Sequence, residues 1–452
     1  MNKSRPLDES DPRKISLIVV HGVMEKGAYA NILLDRHLRT SHLSAADRHL
    51  TTEIVNGTIR MLKHLDWVLN LFLHKSVSAQ NPWLRNVLRI SLYQMLFINS
   101  AVELVSAKAG SKLAGVANGV LRNLARNRTA IRYPEGSDSC QYLAVFYSQP
   151  EWLVQKWLAE YDIELVRAML TYFNQRPSMV LRNNEMMGTR EELIAELELD
   201  GVYCQPSRRT PWGLSVEGLD KSLEKLQAYQ AGRFYVQNEA SMLVVSILDA
   251  QPGELIFDLC SGVGGKASFI AEQMRNCGII EAYELYPHKL DLLARNCARL
   301  GISIVHGHPQ DILTLPVDMD RAAGVLLDAP CSGLGVLNRR VDSRWKKTPD
   351  SLIELSQLQA SLLERAGWMV MPGGRLVYAT CTINQAENQE IVSGFLKNNP
   401  DFALEGFAPK IGYFPLDEED QHSAAAGMLT ILPGKYQTDG MFYALMRRSN
   451  SE

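Results

Sequence analysis

The stretch "LLDAPCSG" (Leu326–Gly333) closes an apolar run on an aspartate, a proline and a cysteine. Further on, "LVYATCT" (Leu376–Thr382) closes another on a second cysteine. A lone cysteine is usually a small buried hydrophobe, and that reading suits Cys140, Cys204, Cys277 and Cys297. Cys331 and Cys381 differ, because both fall at the C-terminal ends of strand-like runs. Adjacent strands lie ~5 Å apart, so two thiols there can reach one substrate ring. One chemistry that asks for this is methylation of cytosine at C5, a carbon too weakly nucleophilic to take a methyl group unaided. A thiolate adding to C6 makes an enamine whose C5 can attack a methyl donor; the C5 proton then leaves and the thiolate is expelled. Such a site needs a nucleophile, an acid at N3 and the amino group, and a group that assists release. Asp328 stands where the N3 contact would be made. A helix restarting at Asn384, with Asn384 and Glu387 as its cap pair, would lower the pKa of Cys381 from its N-terminus. No histidine lies close in sequence to serve as its base.

A second candidate site is "DLCSGVGGKAS" (Asp258–Ser268), a glycine turn between a strand-like run and a helix. It is not a phosphate-binding P-loop: Cys260 stands where that motif needs its first glycine, and Ala267 follows Lys266 where Ser or Thr is required. The relaxed dinucleotide spacing G-x-G-x-x-A does fit Gly262, Gly264 and Ala267. Glu284 lies at the distance expected of a ribose-binding carboxylate. Enzymes of NAD and of S-adenosylmethionine share this arrangement, since both hold an adenosine. Asp311, after the next strand, is placed to accept from an adenine amino group, with His308 the competing residue at that turn.

The elements that must position these residues alternate. From about Gly253 the runs "ELIFDL", "GIIEAYEL", "ISIVHG", "AAGVLLDAP" and "RLVYATC" read as strands. Helices fall between them, one beginning at Pro287 and ending before Gly301, another spanning Ser351 to Met369 and leading through "MPGG" into the next strand. "GMFYALMRR" supplies a last strand. Such alternation predicts a mostly parallel, doubly wound sheet with ligands at the strand C-termini. Ahead of it, "SMVLRNN" (Ser178–Asn184) followed by "TREELIAELELDG", with Thr189 and Glu192 as a capping box, reads as a small α+β piece. Residues 14 to 128 show helical periodicity instead.

The chain has 452 residues, 46 % of them hydrophobic and 21 % charged, the composition of a soluble globular protein with room for two or three domains. No apolar run is long enough for a membrane span, and the polar start "MNKSRPLDESDPRK" has no signal-peptide core, so a cytoplasmic location is expected. Seven scattered cysteines without CxxC spacing indicate neither a zinc site nor a disulfide framework. The net charge is −3, but residues 1–140 carry an excess of Lys and Arg, densest between Arg60 and Arg128. A basic domain joined to an acidic one suits an enzyme that grips nucleic acid with one part; a solvated helical surface explains the charge equally well. In "AGVANGVLRNLARNR" (Ala114–Arg128), Asn118, Arg122 and Arg126 share one helical flank, which serves phosphate contact or solvent exposure.

"DAPCSG" with the downstream "TC" resembles the Sun (RsmB-like) family of bacterial ribosomal RNA cytosine-C5 methyltransferases, and "LRNVLRISLYQMLF" and "NGVLRNLAR" resemble its NusB-like RNA-binding helices. "SQPEWLVQKW", "FYVQNEAS" and "TDGMFYA" look like its remaining segments. The resemblance covers nearly the whole chain. It implies a disordered tail over residues 1–13, an all-α NusB-like RNA-binding domain over 14–140, a linker and small α+β subdomain over 141–235, and a Rossmann-like class I methyltransferase domain over 236–452. By the same resemblance Cys381 is the nucleophile and Cys331 assists release. S-adenosylmethionine is then held by Cys260, Ser261, Gly262, Val263, Gly264, Gly265, Lys266, Glu284, Asp311 and Asp328, and the substrate is RNA, small-subunit ribosomal RNA in the first instance, for which Arg122 and Arg126 on their shared flank are the contacts expected. No metal is implied. The turn reads "CSGVGGKA" where the family has "CAAPGGKT", and "TCT" replaces "TCS". Three alternatives stay open: a vestigial domain on an RNA-binding assembly factor, C5-methylation of tRNA, and a DNA cytosine-C5 methyltransferase in which the cysteine after the proline attacks. A NAD oxidoreductase would leave both cysteines unexplained.

Overall fold

A computed structural model describes residues 11–98, 110–219, 222–316 and 320–450, with the side chains of 110–114 left out. Most of the tail expected at the N-terminus, residues 1–10, lies outside the described residues. Asp11 already caps the first helix, its carboxylate accepting from the Arg13 amide at 2.9 Å, and Pro12 opens it. Proline is well suited to that place because the first-turn amide has no intrahelical partner.

The chain forms two compact units. The first comprises residues up to Arg176 together with Leu337–Lys346. Among its described residues the regular elements are helices, the longer ones Pro12–Lys26, Ala30–Thr40, Ala45–Arg60, Leu62–Phe72, Pro82–Tyr93, Gly110–Arg126, Cys140–Phe146, Glu151–Glu160 and Ile163–Asn174. Apolar residues at helical spacing close one core around Val19, Ile54, Leu65, Leu88 and Leu124. The unit runs past the 14–140 span read from the sequence because the three helices beyond Cys140 belong to it. It also includes a ten-residue segment that the sequence reading assigned to the C-terminal domain. Arg344 accounts for that inclusion: wholly buried, its guanidinium donates to the carbonyls of Ser148 (3.1 Å), Phe173 (3.0 Å) and Arg60 (3.3 Å). Burial pulls its pKa down to about 9, which still leaves it charged at neutral pH.

The second unit holds both sheets. The smaller has β1 (Met179–Asn183), β2 (Tyr203–Pro206), β3 (Gly213–Gly218) and β4 (Phe234–Val236) in the order β2-β3-β1-β4, all antiparallel. The helix Arg190–Leu199 covers it and carries the expected Thr189–Glu192 capping box. The larger sheet has β5 (Leu255–Asp258), β6 (Ile279–Tyr283), β7 (Val305–His308), β8 (Ala322–Asp328), β9 (Val370–Thr380), β10 (Phe402–Leu404), β11 (Met428–Ile431) and β12 (Met441–Arg448). Its order is β10-β12-β9-β8-β5-β6-β7, with β11 on β12. The five strands from β9 to β7 are parallel and the C-terminal ones antiparallel. Both faces are covered, and residues alternate between them as a pleated strand requires: Leu326, Val377 and Tyr443 enter one core, Val325, Tyr378 and Phe442 the other.

Two local expectations change. "MPGG" does not precede the strand but lies inside β9, and the pairing with β8 shifts register across it, from Val370 opposite Ala322 to Arg375 opposite Gly324. Asn384 and Glu387 do not cap a helix. A short 3₁₀ turn occupies Gln385–Glu387 and the helix Gln389–Asn398 begins after Asn388. A dipole effect falls off within about one helical turn, so the α-helix N-terminus expected beside Cys381 is not there.

Candidate active site

The order of the large sheet reverses between β5 and β8, and the loops that leave their C-terminal ends diverge into the crevice where doubly wound sheets hold ligands. The glycine turn leaves β5, "APCSG" leaves β8 and "CT" leaves β9. β8 and β9 are parallel neighbours, with Asp328 opposite Ala379. That register brings Cys331 and Cys381 together: their Sγ atoms lie 3.3 Å apart, both partly exposed. The Gly335 amide donates to the Cys381 carbonyl at 3.0 Å. A side chain at 335 is impossible, since a Cβ would stand 2.2 Å from the Gly440 carbonyl oxygen. The hydrogen bond to Cys381, reinforced by burial, holds the pKa of Cys331 well above the ordinary thiol value.

The glycine turn is built as its sequence suggests. Gly264 caps the helix Gly265–Gln273 with a positive φ of 86°, which only glycine adopts without strain. Ser261 binds the Tyr283 carbonyl at the end of β6 through its amide (2.9 Å) and hydroxyl (3.2 Å). Cys260 is partly buried, and burial with three nearby acids pushes its thiol far up. Val263 is exposed. The Gly262 amide donates to Glu284 Oε2 at 3.1 Å, while Oε1 accepts from the Tyr286 amide (3.1 Å) and Lys289 Nζ (3.0 Å). Glu284 is thus fixed beside the turn. Asp311 heads a 3₁₀ turn, accepting from the Leu313 amide at 3.0 Å, and His308 pairs with Glu281 while its ring stacks on Tyr283.

Lys266 reaches from the helix to Asp328, Nζ to Oδ2 at 2.5 Å. Burial works against its charge, but Asp328 and Asp258 more than offset that and raise its pKa. Asp258, the last residue of β5, is wholly buried, and neither carboxylate oxygen has a hydrogen-bond partner among the described residues. Burial, with Asp328 nearby, pushes its pKa up to about 7. The sequence shows Asp258 only as a strand end; an acid closing an otherwise apolar strand before a glycine turn was the available signal. Glu387 was read as a cap and is instead buried between the two cysteine loops, accepting from Ser332 and Gln359. Arg122 and Arg126 lie on the first unit, both exposed on the helix Gly110–Arg126. Among the described residues no group of acids, histidines and cysteines could hold a metal ion, and no helix is long and apolar enough to cross a membrane.

Comparisons with known proteins place the chain in a family. Residues 245–447 match the family model described as 16S rRNA methyltransferase RsmB/F, residues 10–126 match the NusB family, and residues 149–219 match the ferredoxin-like domain of RsmF/B-like methyltransferases. The chain is 32 % identical to the "Probable ribosomal RNA small subunit methyltransferase B" of Bacillus subtilis, over 98 % of this chain and 100 % of that one. It is 30 % identical to the "Ribosomal RNA small subunit methyltransferase B" of Serratia proteamaculans, over 87 % and 91 % respectively. Among solved structures, that of PH0851 superposes with a TM-score of 0.79 at 26 % identity, covering 99 % of this chain and 100 % of that chain. The helical front unit, the small antiparallel sheet and the methyltransferase-type sheet thus occur together in proteins of the same length and order, and the chain belongs to the RsmB/F family of 16S rRNA methyltransferases.

Proposed function

We propose that the protein transfers a methyl group from S-adenosylmethionine to C5 of a cytosine in small-subunit ribosomal RNA, with Cys381 forming the transient bond to C6 and Cys331 assisting its release. The observation that carries this is the 3.3 Å separation of the two sulfurs at the ends of neighbouring parallel strands. One planar ring set against that pair meets both thiols. Cytosine-C5 chemistry gives each of them a task.

The residues around the glycine turn suit the donor. Its sulfonium and ammonium are cationic, and Asp258 offers two buried carboxylate oxygens with no hydrogen-bond partner among the described residues. Open space beside Gly262, where a Cβ would meet nothing within 4 Å, leaves room against the backbone. Residues Cys260–Lys266 would line the donor, Glu284 would take the ribose hydroxyls, Asp311 the adenine amino group, and Asp328 the methyl-bearing end. The donor, when bound, supplies an electrophilic methyl group.

Each remaining role belongs to the protein. A Cys331 S–H donating to Cys381 favours thiolate at the attacking sulfur. As C6 is attacked, negative charge builds toward N3 and O2; Asp328 meets N3 and the amino group, and the Lys266 ammonium offsets the charge at short range. C5 then takes the methyl group, a solvent water takes the C5 proton, and the electron pair of that C–H bond restores the ring as the C6–S bond breaks. The departing sulfur leaves as a thiolate, and the hydrogen bond from the Cys331 S–H stabilises it. Arg122 and Arg126, one helical turn apart on an exposed face, would bind RNA phosphates. The test is bisulfite sequencing of small-subunit RNA treated with the purified protein and donor. One newly resistant cytosine is the expected result; a methyl group on another base or atom, seen by nucleoside mass spectrometry, would refute the proposal.

A further inference from the structure

Both cysteine loops end on one buried carboxylate. Glu387 Oε1 accepts from the Ser332 amide at 2.8 Å and from Gln359 Nε2 at 3.0 Å. Oε2 accepts from the Ser332 hydroxyl at 2.5 Å and from Asn384 Nδ2 at 3.1 Å. Ser332 directly follows Cys331, and Thr382 directly follows Cys381. Their hydroxyls lie 2.8 Å apart, so Thr382 donates to Ser332 and Ser332 to Glu387. Gln359, on the long helix Pro349–Trp368, also donates to the Pro330 carbonyl at 2.9 Å, fixing the residue before Cys331. Ser332, Thr382, Gln359 and Glu387 are all buried. A buried carboxylate is costly unless its oxygens are satisfied, and here the donors are Ser332, the residue after Cys331, together with Gln359 and Asn384.

We propose that Glu387 is a positioning residue that sets the separation of the Cys331 and Cys381 sulfurs, and through it the rate of the covalent and release steps. This rests on the function proposed above. Glu387 touches neither sulfur; it acts through Ser332 and Thr382. Charge-assisted bonds are about twice as strong as neutral ones, so a carboxylate holds the two loops together more firmly than an amide would.

The experiment reads the sulfur separation directly. Full-length wild type, Glu387→Gln and Glu387→Leu are treated with diamide, and the rate of Cys331–Cys381 disulfide formation is followed by mass spectrometry. Thermal unfolding of each variant and calorimetric affinity for S-adenosylmethionine are measured in parallel. Glutamine keeps one acceptor oxygen, and leucine of similar bulk keeps none. The expected order of cross-linking rate and of kcat is wild type, then Gln, then Leu, with Leu down by about tenfold or more. KM for RNA and donor affinity are expected to stay within about twofold. Cross-linking at the wild-type rate in Gln and Leu, or in Gln alone if Leu does not fold, overturns the inference. Wild type that transfers no methyl group while cross-linking still depends on residue 387 counts against the proposed function and leaves the positioning role standing.

Discussion

The sulfurs of Cys331 and Cys381 lie 3.3 Å apart although fifty residues separate them in the chain. If Cys381 attacks and Cys331 assists release, the two single variants fail differently. Cys381→Ala abolishes methyl transfer and forms no covalent complex with RNA. Cys331→Ala forms the adduct and cannot clear it, so a slow-migrating protein–RNA band accumulates in a denaturing gel. A band with Cys381→Ala and none with Cys331→Ala reverses the roles.

Asp258 makes stability depend on pH in an unusual direction for a carboxylate. Its pKa in the folded protein is about 7, against an ordinary value of 3.8. A pKa raised on folding contributes stability that is fully present below the unfolded value and is lost as pH rises through the folded one. At ~1.4 kcal/mol per decade the loss between about pH 4 and above pH 7 is on the order of 4 kcal/mol. Asp258→Asn carries no titrating group and escapes that loss. Denaturant unfolding at about pH 5 and pH 8 is expected to show the variant gaining on wild type at the higher pH. Parallel profiles would contradict the assignment.

Arg182 on β1 is wholly buried and donates to Glu272 Oε1 at 2.6 Å, to Ser268 Oγ at 3.1 Å and to the Gly265 carbonyl at 2.9 Å. Its guanidinium carbon also sits 4.6 Å from the centre of the Phe269 ring. It ties the small sheet to the helix that begins at the glycine turn. Removing one partner of a buried pair strands the other's charge and costs ~3–5 kcal/mol. Arg182→Met is expected to lose that much in chemical denaturation and to bind S-adenosylmethionine more weakly by calorimetry. A loss below about 1 kcal/mol would show that Glu272 is not left uncompensated.

Arg122 and Arg126 are exposed and one helical turn apart. If both contact RNA phosphates, the Arg122→Ala/Arg126→Ala variant binds small-subunit RNA more weakly. Its log affinity then falls less steeply with log salt, the slope shrinking by about 1.5. Filter binding across a salt series measures it, and an unchanged slope removes these two arginines from the interface.

Much of this molecule was legible from local signals. The Thr189–Glu192 capping box, the Pro287 and Gly301 ends of the helix Pro287–Leu300 and the strands "ELIFDL" and "AAGVLLDAP" all formed where they were read. Each depends only on residues a few positions apart. The glycine turn was equally readable, because a positive φ at Gly264 is a property of that residue and its neighbours. "MPGG" does interrupt the pairing with β8, which resumes only at Arg375, but the strand continues through it rather than starting after it.

By its own order of residues the chain determined which segments alternate as strand and helix, and that two cysteines close strand-like runs. Only the tertiary structure decided that these strands are neighbours, that Lys266 reaches Asp328, and that Glu387 turns inward to both cysteine loops. Local spacing says where a strand ends, since side-chain direction repeats every two residues along it. Which ends meet is decided by the sheet order and by burial, through donors and acceptors drawn from positions far apart in the chain.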